Sequence, residues 1–85
     1  MEVIFHKKFQ KSFNKQPPKI QDRFGEQLQL FLEDPHNPTL NNHALIGQLS
    51  NYRSINITGD IRAWYEVVSE QVVFMKIGSH SELYS

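Results

Sequence analysis

The spacing of apolar residues is helical in the first part of the chain. Phe5, Phe9 and Phe13 recur every four residues after a short apolar start at 3–5, which predicts an opening strand followed by a helix from about 6 to 15. The pair Pro17-Pro18 ends this helix and suits the first turn of another. The second predicted helix runs to Asp34-Pro35, and its apolar stripe consists of Ile20, Phe24, Leu28, Phe31 and Leu32.

The second half of the chain alternates apolar and polar residues instead. Strands are predicted at 52–57, 61–68 and 71–77, and Gly78 is expected to end the last one. Residues 35–51, rich in Pro, Asn and Gly, are expected to form a long irregular loop. The order β-α-α-β-β-β predicts a single α+β domain over residues 1–85. In this domain the N-terminal strand and a helical hairpin pack on one face of a largely antiparallel four-stranded sheet.

The opposite face of that sheet is left for solvent or a ligand. If Ala63 and Tyr65 face the helices, strand alternation directs Arg62, Trp64 and Glu66 to the open side. An arginine beside a tryptophan on an open sheet could bind a phosphate and a base. An ordinary solvent face with one ion pair is the alternative, and the strand pattern alone favours it.

Charge is unevenly distributed although the net charge is zero. Residues 1–23 contain six Lys and Arg against two Asp and Glu, and the remainder contains three against seven, so the two parts carry about +4 and −4. Lys7, Lys11 and Lys15 recur every four residues and share one helix face. That stripe is either a solvated surface or a contact for nucleic-acid phosphates.

Several classes of protein are disfavoured by the composition. The 85 residues include no cysteine, which excludes disulfides and thiolate metal sites. The four histidines lack the spacing of a metal-binding helix, and no glycine-rich phosphate loop or nucleophile elbow is present. No apolar run reaches the ~20 residues of a membrane span. We therefore expect a soluble, cytoplasmic protein with no metal, cofactor or membrane partner.

The remaining chemistry consists of His, Arg, Lys and Tyr near the loop and the C-terminal strands. Such a set suits RNA cleavage by attack of a ribose 2′-hydroxyl on the adjacent phosphate. This reaction needs a base, an acid and cations that hold the charged phosphorane. Histidine can serve in either proton transfer at neutral pH.

Three stretches of the chain together resemble the RelE/ParE toxins: His43–Gly47 with Tyr52-Arg53, Asp60–Val67, and Lys76–Tyr84. The ending Gly78–Tyr84 is similar to that of the YafQ-like branch. The resemblance covers nearly the whole chain and implies a RelE-like fold. It also implies a toxin of a type II toxin–antitoxin system that cleaves mRNA in the 30S ribosomal A site by metal-free acid–base chemistry. A cognate antitoxin would silence it, and operator DNA would be bound only through the antitoxin complex.

The resemblance assigns candidate catalytic roles to six positions. His80 matches a C-terminal catalytic histidine and is the candidate general acid, whereas His43 could act as base or hold the ribose. Arg62 matches a mid-strand phosphate clamp, and Lys76 falls where YafQ-like members carry arginine. Asp60 falls at a matching acidic position, although Gly59-Asp60 also suits a turn. Tyr84 could stack on a base or orient the phosphate, although a terminal tyrosine more often packs.

The candidate RNA-binding residues are Lys7, Lys11, Lys15, Arg53 and Trp64. Asn56 departs from the YafQ-like pattern, because it stands where a second catalytic histidine is usual and asparagine cannot transfer protons at neutral pH. The neutral net charge is a second departure. Two alternatives stay open: a ParE-like poison of DNA gyrase, and a weakly active homologue that acts mainly as an antitoxin-binding co-repressor. The nuclease hypothesis requires His80 to converge with Arg62 and Lys76 on the open side of the sheet.

Overall fold

The first and last strands of the chain lie side by side in the sheet. A computed structural model, which describes all 85 residues, shows a five-stranded sheet in the order β1-β5-β4-β3-β2. β1 pairs with β5 in parallel and every other pair is antiparallel. In chain order the elements are β1 (Glu2–Phe5), α1 (Lys7–Asn14), α2 (Pro18–Glu33), β2 (His43–Ala44), β3 (Arg53–Asn56), β4 (Ile61–Val68), β5 (Gln71–Ser79) and α3 (His80–Tyr84).

The predicted α+β fold class is confirmed, but the sheet has five strands rather than four. The extra strand, β2, lies inside the stretch expected to be an irregular loop, between 3₁₀ turns at Pro38–Leu40 and Gly47–Leu49. Two residues are too few to show an alternating pattern. The expectation that Gly78 ends the last strand is wrong, because Gly78 pairs with Arg62 and β5 continues to Ser79.

The helical hairpin is fixed by local polar contacts. His6 is the N-cap of α1, and its Nδ1 accepts a hydrogen bond from the Lys8 N–H at 3.0 Å. The Gln21 side chain donates to the carbonyls of Phe13 and Gln16, at 3.1 and 3.2 Å, and so holds the connection between α1 and α2. The Phe13 carbonyl also accepts from the Gln16 N–H at 3.0 Å, so side-chain and backbone bonds together hold the end of α1.

Phenylalanine rings from both helices meet the sheet in one hydrophobic core. Phe74 on β5 lies between them, with ring centroids 5.7 Å from Phe9, 5.4 Å from Phe24 and 5.9 Å from Phe31. Aromatic pairs at such distances add about 0.5–1.5 kcal/mol each beyond the burial of their area. The buried core cluster comprises Phe9, Phe24, Phe31, Leu40, Ile55, Ile57, Ala63, Tyr65, Val72, Phe74 and Ile77.

A β-bulge in β5 determines which side chains reach the open face. Trp64 pairs with Lys76 and Tyr65 with Phe74, so Met75 is the extra residue. In a regular strand Phe74 and Lys76 would share a face. The bulge instead leaves Phe74 and Ile77 in the core and Lys76 opposite Trp64.

None of the helices combines the length and apolar character that a membrane span requires.

Candidate functional site

One row of side chains crosses the open face of the sheet from β2 to β5. His43 pairs with Ser54, Ser54 with Trp64, and Trp64 with Lys76. Paired residues of antiparallel strands project from the same face, so these four side chains are neighbours. Arg62 lies two residues before Trp64 on β4, and its side chain therefore belongs to the next row on the same face. The strand alternation therefore places polar and aromatic groups together on the side of the sheet that α1 and α2 leave free.

The C-terminal helix α3 folds back over this face because Gly78 gives it room. A Cβ built on Gly78 would lie 2.9 Å from the Glu82 Cβ, so no larger residue fits there without moving the helix. Ser79 starts α3 with a capping box: its hydroxyl accepts from the Glu82 N–H at 3.3 Å, and its own N–H donates to the Glu82 carboxylate at 2.8 Å. The Ser79 backbone bond holds the pKa of Glu82 below its ordinary value of 4.5, against the opposing effect of partial desolvation and with smaller lowering contributions from the Ser79 hydroxyl, Gln16 and Lys15.

A cleft of about 290 Å³ opens between α3, β2 and the turn that joins β3 to β4. Its volume is at the small end of the range for small-molecule sites, roughly 300–1,000 Å³. A single nucleotide unit suits this size. The lining residues are His43, Leu45, Ser54, Gly59, Asp60, Arg62, Trp64, His80, Leu83 and Tyr84.

Arg62 is held at the edge of the cleft by its own turn. Its Nη1 donates to the carbonyl of Gly59 at 2.7 Å and to that of Thr58 at 3.0 Å. No carboxylate pairs with it, since the ion pair of the chain joins Arg23 and Glu26 on α2. The remaining guanidinium N–H groups are therefore free to bind an anion in the fork geometry that suits phosphate.

His43 is fixed in one orientation and one tautomer. Its Nδ1 lies 2.8 Å from the Asn41 carbonyl oxygen, which can only accept a hydrogen bond. Nδ1 is then the donor, and in the neutral ring Nε2 carries the free lone pair. The preceding residue, Asn42, is anchored to the Pro35 carbonyl at 2.9 Å and to the Tyr65 hydroxyl at 2.8 Å. The imidazole is thus prepared to accept a proton through Nε2.

Aromatic rings contact one another in a row from the sheet to the C-terminal helix, with Tyr52 stacked on Trp64 and Tyr84 edge-to-face with Trp64. Ring centroids are 6.1 Å apart for Tyr52 and Trp64, 5.0 Å for Trp64 and Tyr84, and 4.6 Å for Tyr84 and His80. His80 and Tyr84 stand one helical turn apart on α3, which brings their side chains onto one face. The His80 ring is exposed and forms no side-chain hydrogen bond, so both of its nitrogens can meet a ligand.

The structure places five of the six candidate catalytic residues at the cleft and the sixth beside it. His43, Asp60, Arg62, His80 and Tyr84 line the cleft. Lys76 instead lines an adjoining cleft of about 330 Å³ behind Tyr84. Its Nζ donates to the Leu83 carbonyl at 3.1 Å, near the end of α3. The required convergence is therefore met by His80 and Arg62 and not by Lys76.

Two candidate RNA-binding residues differ from expectation, one in its exposure and the other in the face of the sheet that it occupies. Trp64 was expected to be exposed, but only 5% of it is, because Tyr52 and Tyr84 pack against it. Arg53 pairs with Tyr65 and therefore faces the helices, on the side of the sheet away from the cleft. There its Nε donates to the Asn42 side-chain oxygen at 2.9 Å. Strand alternation correctly predicted the face of the sheet on which Trp64 lies, but it could not show that α3 packs over this residue.

The other candidate RNA-binding residues lie on the exposed side of α1. Lys7 and Lys11 lie on the helix and Lys15 is its C-cap, and all three are exposed. Lys15 is near enough to Glu82 for its charge to help lower the pKa of that carboxyl, without forming an ion pair with it. The lysine stripe therefore reaches α3 at one end.

Ser54, Leu45 and Leu83 line the cleft without having been identified from the sequence. The alternation along β3 already places the Ser54 side chain on the open face, so this residue could have been identified from the sequence. Asn56 shares that parity and pairs with Arg62, yet it is not part of the cleft lining. Its side-chain oxygen is buried without a hydrogen-bond partner.

The cleft combines a proton acceptor, a second imidazole and a cationic fork. Such a set can move protons on both sides of a bound phosphate and stabilise added negative charge. Leu45, Trp64, Leu83 and Tyr84 supply an apolar wall against which a base or ribose can rest. No three His, Asp or Glu side chains are grouped in a way that could hold a metal ion.

Comparison with known proteins identifies relatives with the same architecture. The family profile described as a bacterial toxin of type II toxin–antitoxin systems, YafQ, matches residues 1–85. No curated protein sequence matches the chain. The crystal structure of YafQ from Escherichia coli strain BL21(DE3) superimposes with a TM-score of 0.84 at 15% identity, over 99% of this chain and 98% of that one.

Two further structures extend the comparison. A copper-bound mutant toxin from Helicobacter pylori is 28% identical, with a TM-score of 0.74 and 98% of each chain covered. YafQ in the E. coli DinJ–YafQ toxin–antitoxin complex is 15% identical, with a TM-score of 0.81 over 99% of this chain and 97% of that one. The resemblance read from the three sequence stretches is thus confirmed over the full length of the chain.

Proposed function

The chain belongs to the YafQ family of bacterial type II toxins, and on this premise we propose that it is an endoribonuclease that cleaves mRNA on the ribosome. The observation that carries the proposal is the shared lining of one cleft by His43, His80 and Arg62. These residues come from β2, α3 and β4, and therefore meet only in the folded chain. A single phosphodiester linkage with its flanking ribose fits the size of the cleft.

In the proposed reaction His43 is the general base. Its Nε2 takes the proton from the 2′-hydroxyl of the ribose, and the 2′-oxygen then attacks the adjacent phosphorus. The fixed tautomer supports this role, because Nδ1 is occupied by the Asn41 carbonyl. As the bond from phosphorus to the 5′-oxygen breaks, protonated His80 donates a proton to that oxygen. The products are a 2′,3′-cyclic phosphate and a free 5′-hydroxyl.

Arg62 is proposed to stabilise the phosphorane formed between these steps. Its guanidinium is positioned by the carbonyls of Thr58 and Gly59, so little reorganisation is needed when charge develops on the phosphate oxygens. Asp60 borders the same cleft and could accept a hydrogen bond from a ribose hydroxyl. Tyr84, 52% exposed and in contact with His80, is placed to stack on a neighbouring base.

We further propose that α1 contacts ribosomal RNA and thereby holds the toxin where the ribosome presents the message. The exposed Lys7, Lys11 and Lys15 form a cationic stripe in a chain whose net charge is zero. Such a stripe favours association with RNA phosphates without base selectivity. A protein of zero net charge needs such local concentration of cations to approach a polyanion.

An antitoxin partner is proposed by analogy with the DinJ–YafQ complex. The open cleft and the apolar surface around Tyr84 would be covered by a segment that becomes ordered on binding. Operator DNA would be reached only through that partner.

The test uses the purified chain with mRNA-programmed ribosomes. Primer extension should show cuts within the message, and end-group analysis should find 2′,3′-cyclic phosphate and 5′-hydroxyl ends. A gyrase supercoiling assay with the same preparation tests the ParE-like alternative. Inhibition of supercoiling without cleavage of mRNA would replace the nuclease proposal, and antitoxin binding with neither effect would support a co-repressor.

A further inference from the structure

Ser54 has an unused hydroxyl at the floor of the cleft. The residue is only 2% exposed, it lines the cleft, and its hydroxyl has no hydrogen-bond partner within the chain. The hydroxyl oxygen itself opens into the cleft, because the side-chain atom that is fully buried without a partner is Asn56 Oδ1 and not this one. The free hydroxyl is therefore available to a ligand that enters the cleft.

The neighbours of Ser54 indicate which part of a ligand it meets. Across the strands it lies between His43 and Trp64, in the aromatic row of the open face. Arg62, the candidate phosphate ligand, stands two residues further along β4, and its Nη1 is turned toward the Thr58 and Gly59 carbonyls of the turn between β3 and β4. A phosphate bound by this guanidinium lies toward the turn, so a different part of the same ligand lies over Ser54.

Apolar side chains line the cleft together with Ser54. Leu45, Trp64 and Leu83 all line the cleft, and Leu83 is only 4% exposed. A flat, largely apolar ligand with polar atoms at its edge suits such a lining, and in RNA that description fits a base rather than a phosphate.

We propose that the Ser54 hydroxyl hydrogen-bonds the edge of the nucleobase attached to the nucleotide whose phosphate binds Arg62. Ser54 is then a specificity residue that gives the cleft its base preference. The inference rests on the proposed nuclease function, because it assumes that the ligand is RNA.

The size of the effect follows from the worth of one neutral hydrogen bond. Removing such a bond costs about 0.5–1.5 kcal/mol, which corresponds to roughly a 3–10-fold change in affinity. Ser54→Ala removes one atom and leaves no new group unpaired. We therefore expect the variant to fold as the parent does, with unchanged or slightly higher thermal stability.

The experiment measures binding of the four nucleoside 3′-monophosphates and of inorganic phosphate to the full chain. Fluorescence of Trp64, the single tryptophan, reports occupancy because its side chain lines the cleft. The parent chain should bind the four nucleotides with unequal Kd values. Ser54→Ala should raise the Kd of the most tightly bound nucleotide about 3–10-fold, so that the four Kd values become similar. The Kd for phosphate should stay unchanged. Ser50→Ala makes the same chemical change at an exposed position outside the cleft and should match the parent.

Three results would overturn the assignment: equal affinities in the parent chain, an unchanged base preference in Ser54→Ala, or an equal loss for all four nucleotides, which would indicate a ribose contact. Failure to bind any nucleotide counts against it as well. The ribosome cleavage assay is a separate measurement. Unequal nucleotide binding without mRNA cleavage would leave Ser54 as a base contact and defeat only the proposed reaction.

Discussion

Gly78 lies directly beneath Glu82, and a methyl group at position 78 would come within 2.9 Å of the Glu82 Cβ. The contact is between β5 and the helix that follows it, so it sets how closely α3 approaches the sheet. Through α3 it also positions His80 and Tyr84 over the cleft. A single residue without a side chain thus controls whether the C-terminal part of the candidate site is assembled.

Gly78→Ala should displace α3 and weaken the site more than the fold. The Glu82 Cβ belongs to the helix framework and cannot rotate away, so the whole helix must move. Trp64 then becomes more exposed, because Tyr84 packs against it, and its fluorescence should shift to longer wavelength. Cleavage of mRNA should fall at least tenfold. Gly25→Ala is the matched control, since nothing lies within 4 Å of its added Cβ, and it should stabilise α2 by about 0.5–1 kcal/mol.

His80→Ala should abolish cleavage while leaving stability unchanged within about 0.5 kcal/mol, because the side chain is exposed and forms no hydrogen bond. Single-turnover cleavage on programmed ribosomes and chemical unfolding measure the two effects. His36→Ala removes an equally exposed histidine outside the cleft and should cleave like the parent. Full cleavage by His80→Ala would remove this residue from the mechanism.

Arg53 should prove structural rather than RNA-binding. Arg53→Met keeps the packing of the side-chain stem but loses the bond to Asn42, and we expect a loss of about 1–3 kcal/mol in the free energy of unfolding. Because Arg53 faces the helices, the folded variant should retain cleavage at a temperature well below its Tm. A variant of normal stability that fails to cleave would place Arg53 in the site instead.

Acid should loosen α3 before the rest of the chain. The Ser79 N–H lowers the pKa of Glu82 below its ordinary 4.5, so this carboxylate stabilises the fold above the unfolded pKa. The contribution is lost as pH falls through the lower, folded value. Trp64 fluorescence should therefore change only below about pH 4.5, as the pH falls through the lowered pKa of Glu82, and ahead of global unfolding. Glu82→Gln can still complete the capping box but does not titrate, so this early step should disappear. An early step that persists in Glu82→Gln would assign it to another group.

Replacing Lys7 and Lys11 by glutamine should weaken ribosome association and reduce its dependence on salt. Lys15 is left in place because its charge helps to lower the pKa of Glu82. Co-sedimentation with ribosomes at two salt concentrations provides the measurement, and Lys19→Gln on α2 is an exposed single-site control. Equal binding by the double variant and the parent at both concentrations would show that α1 is only a solvated surface.

The repeating parts of the fold could be predicted from the sequence. The four-residue spacing of Phe5, Phe9 and Phe13 located α1, and the alternation at 61–68 gave β4 with its bounds unchanged. Both patterns arise from many residues that bury the same face, so they survive small local irregularities. The open side of the sheet and the place of Arg62 on it followed from these elements, whereas His80, on α3, was identified only through the family resemblance.

The features that could not be predicted depend on single residues or on contacts between distant parts of the chain. The bulge at Met75 reverses which face of the sheet the following side chains point to. An alternating pattern with a period of two residues cannot reveal such an insertion. The burial of Trp64 depends on where α3 docks, and the strand β2 exists only because β3 provides a partner. Lys76 was placed on the correct face, but its bond to Leu83 assigns it to the neighbouring cleft.

The position of β5 between β1 and β4 has a consequence for the kinetics of folding. β1 pairs only with β5, and partners such as Glu2 and Gln71 are 69 residues apart in the chain. Closing so long a loop costs more chain entropy than forming the β4–β5 hairpin, in which Val68 and Gln71 pair across a two-residue turn. The hairpin should therefore form early, and the parallel pair of β1 and β5 should close last.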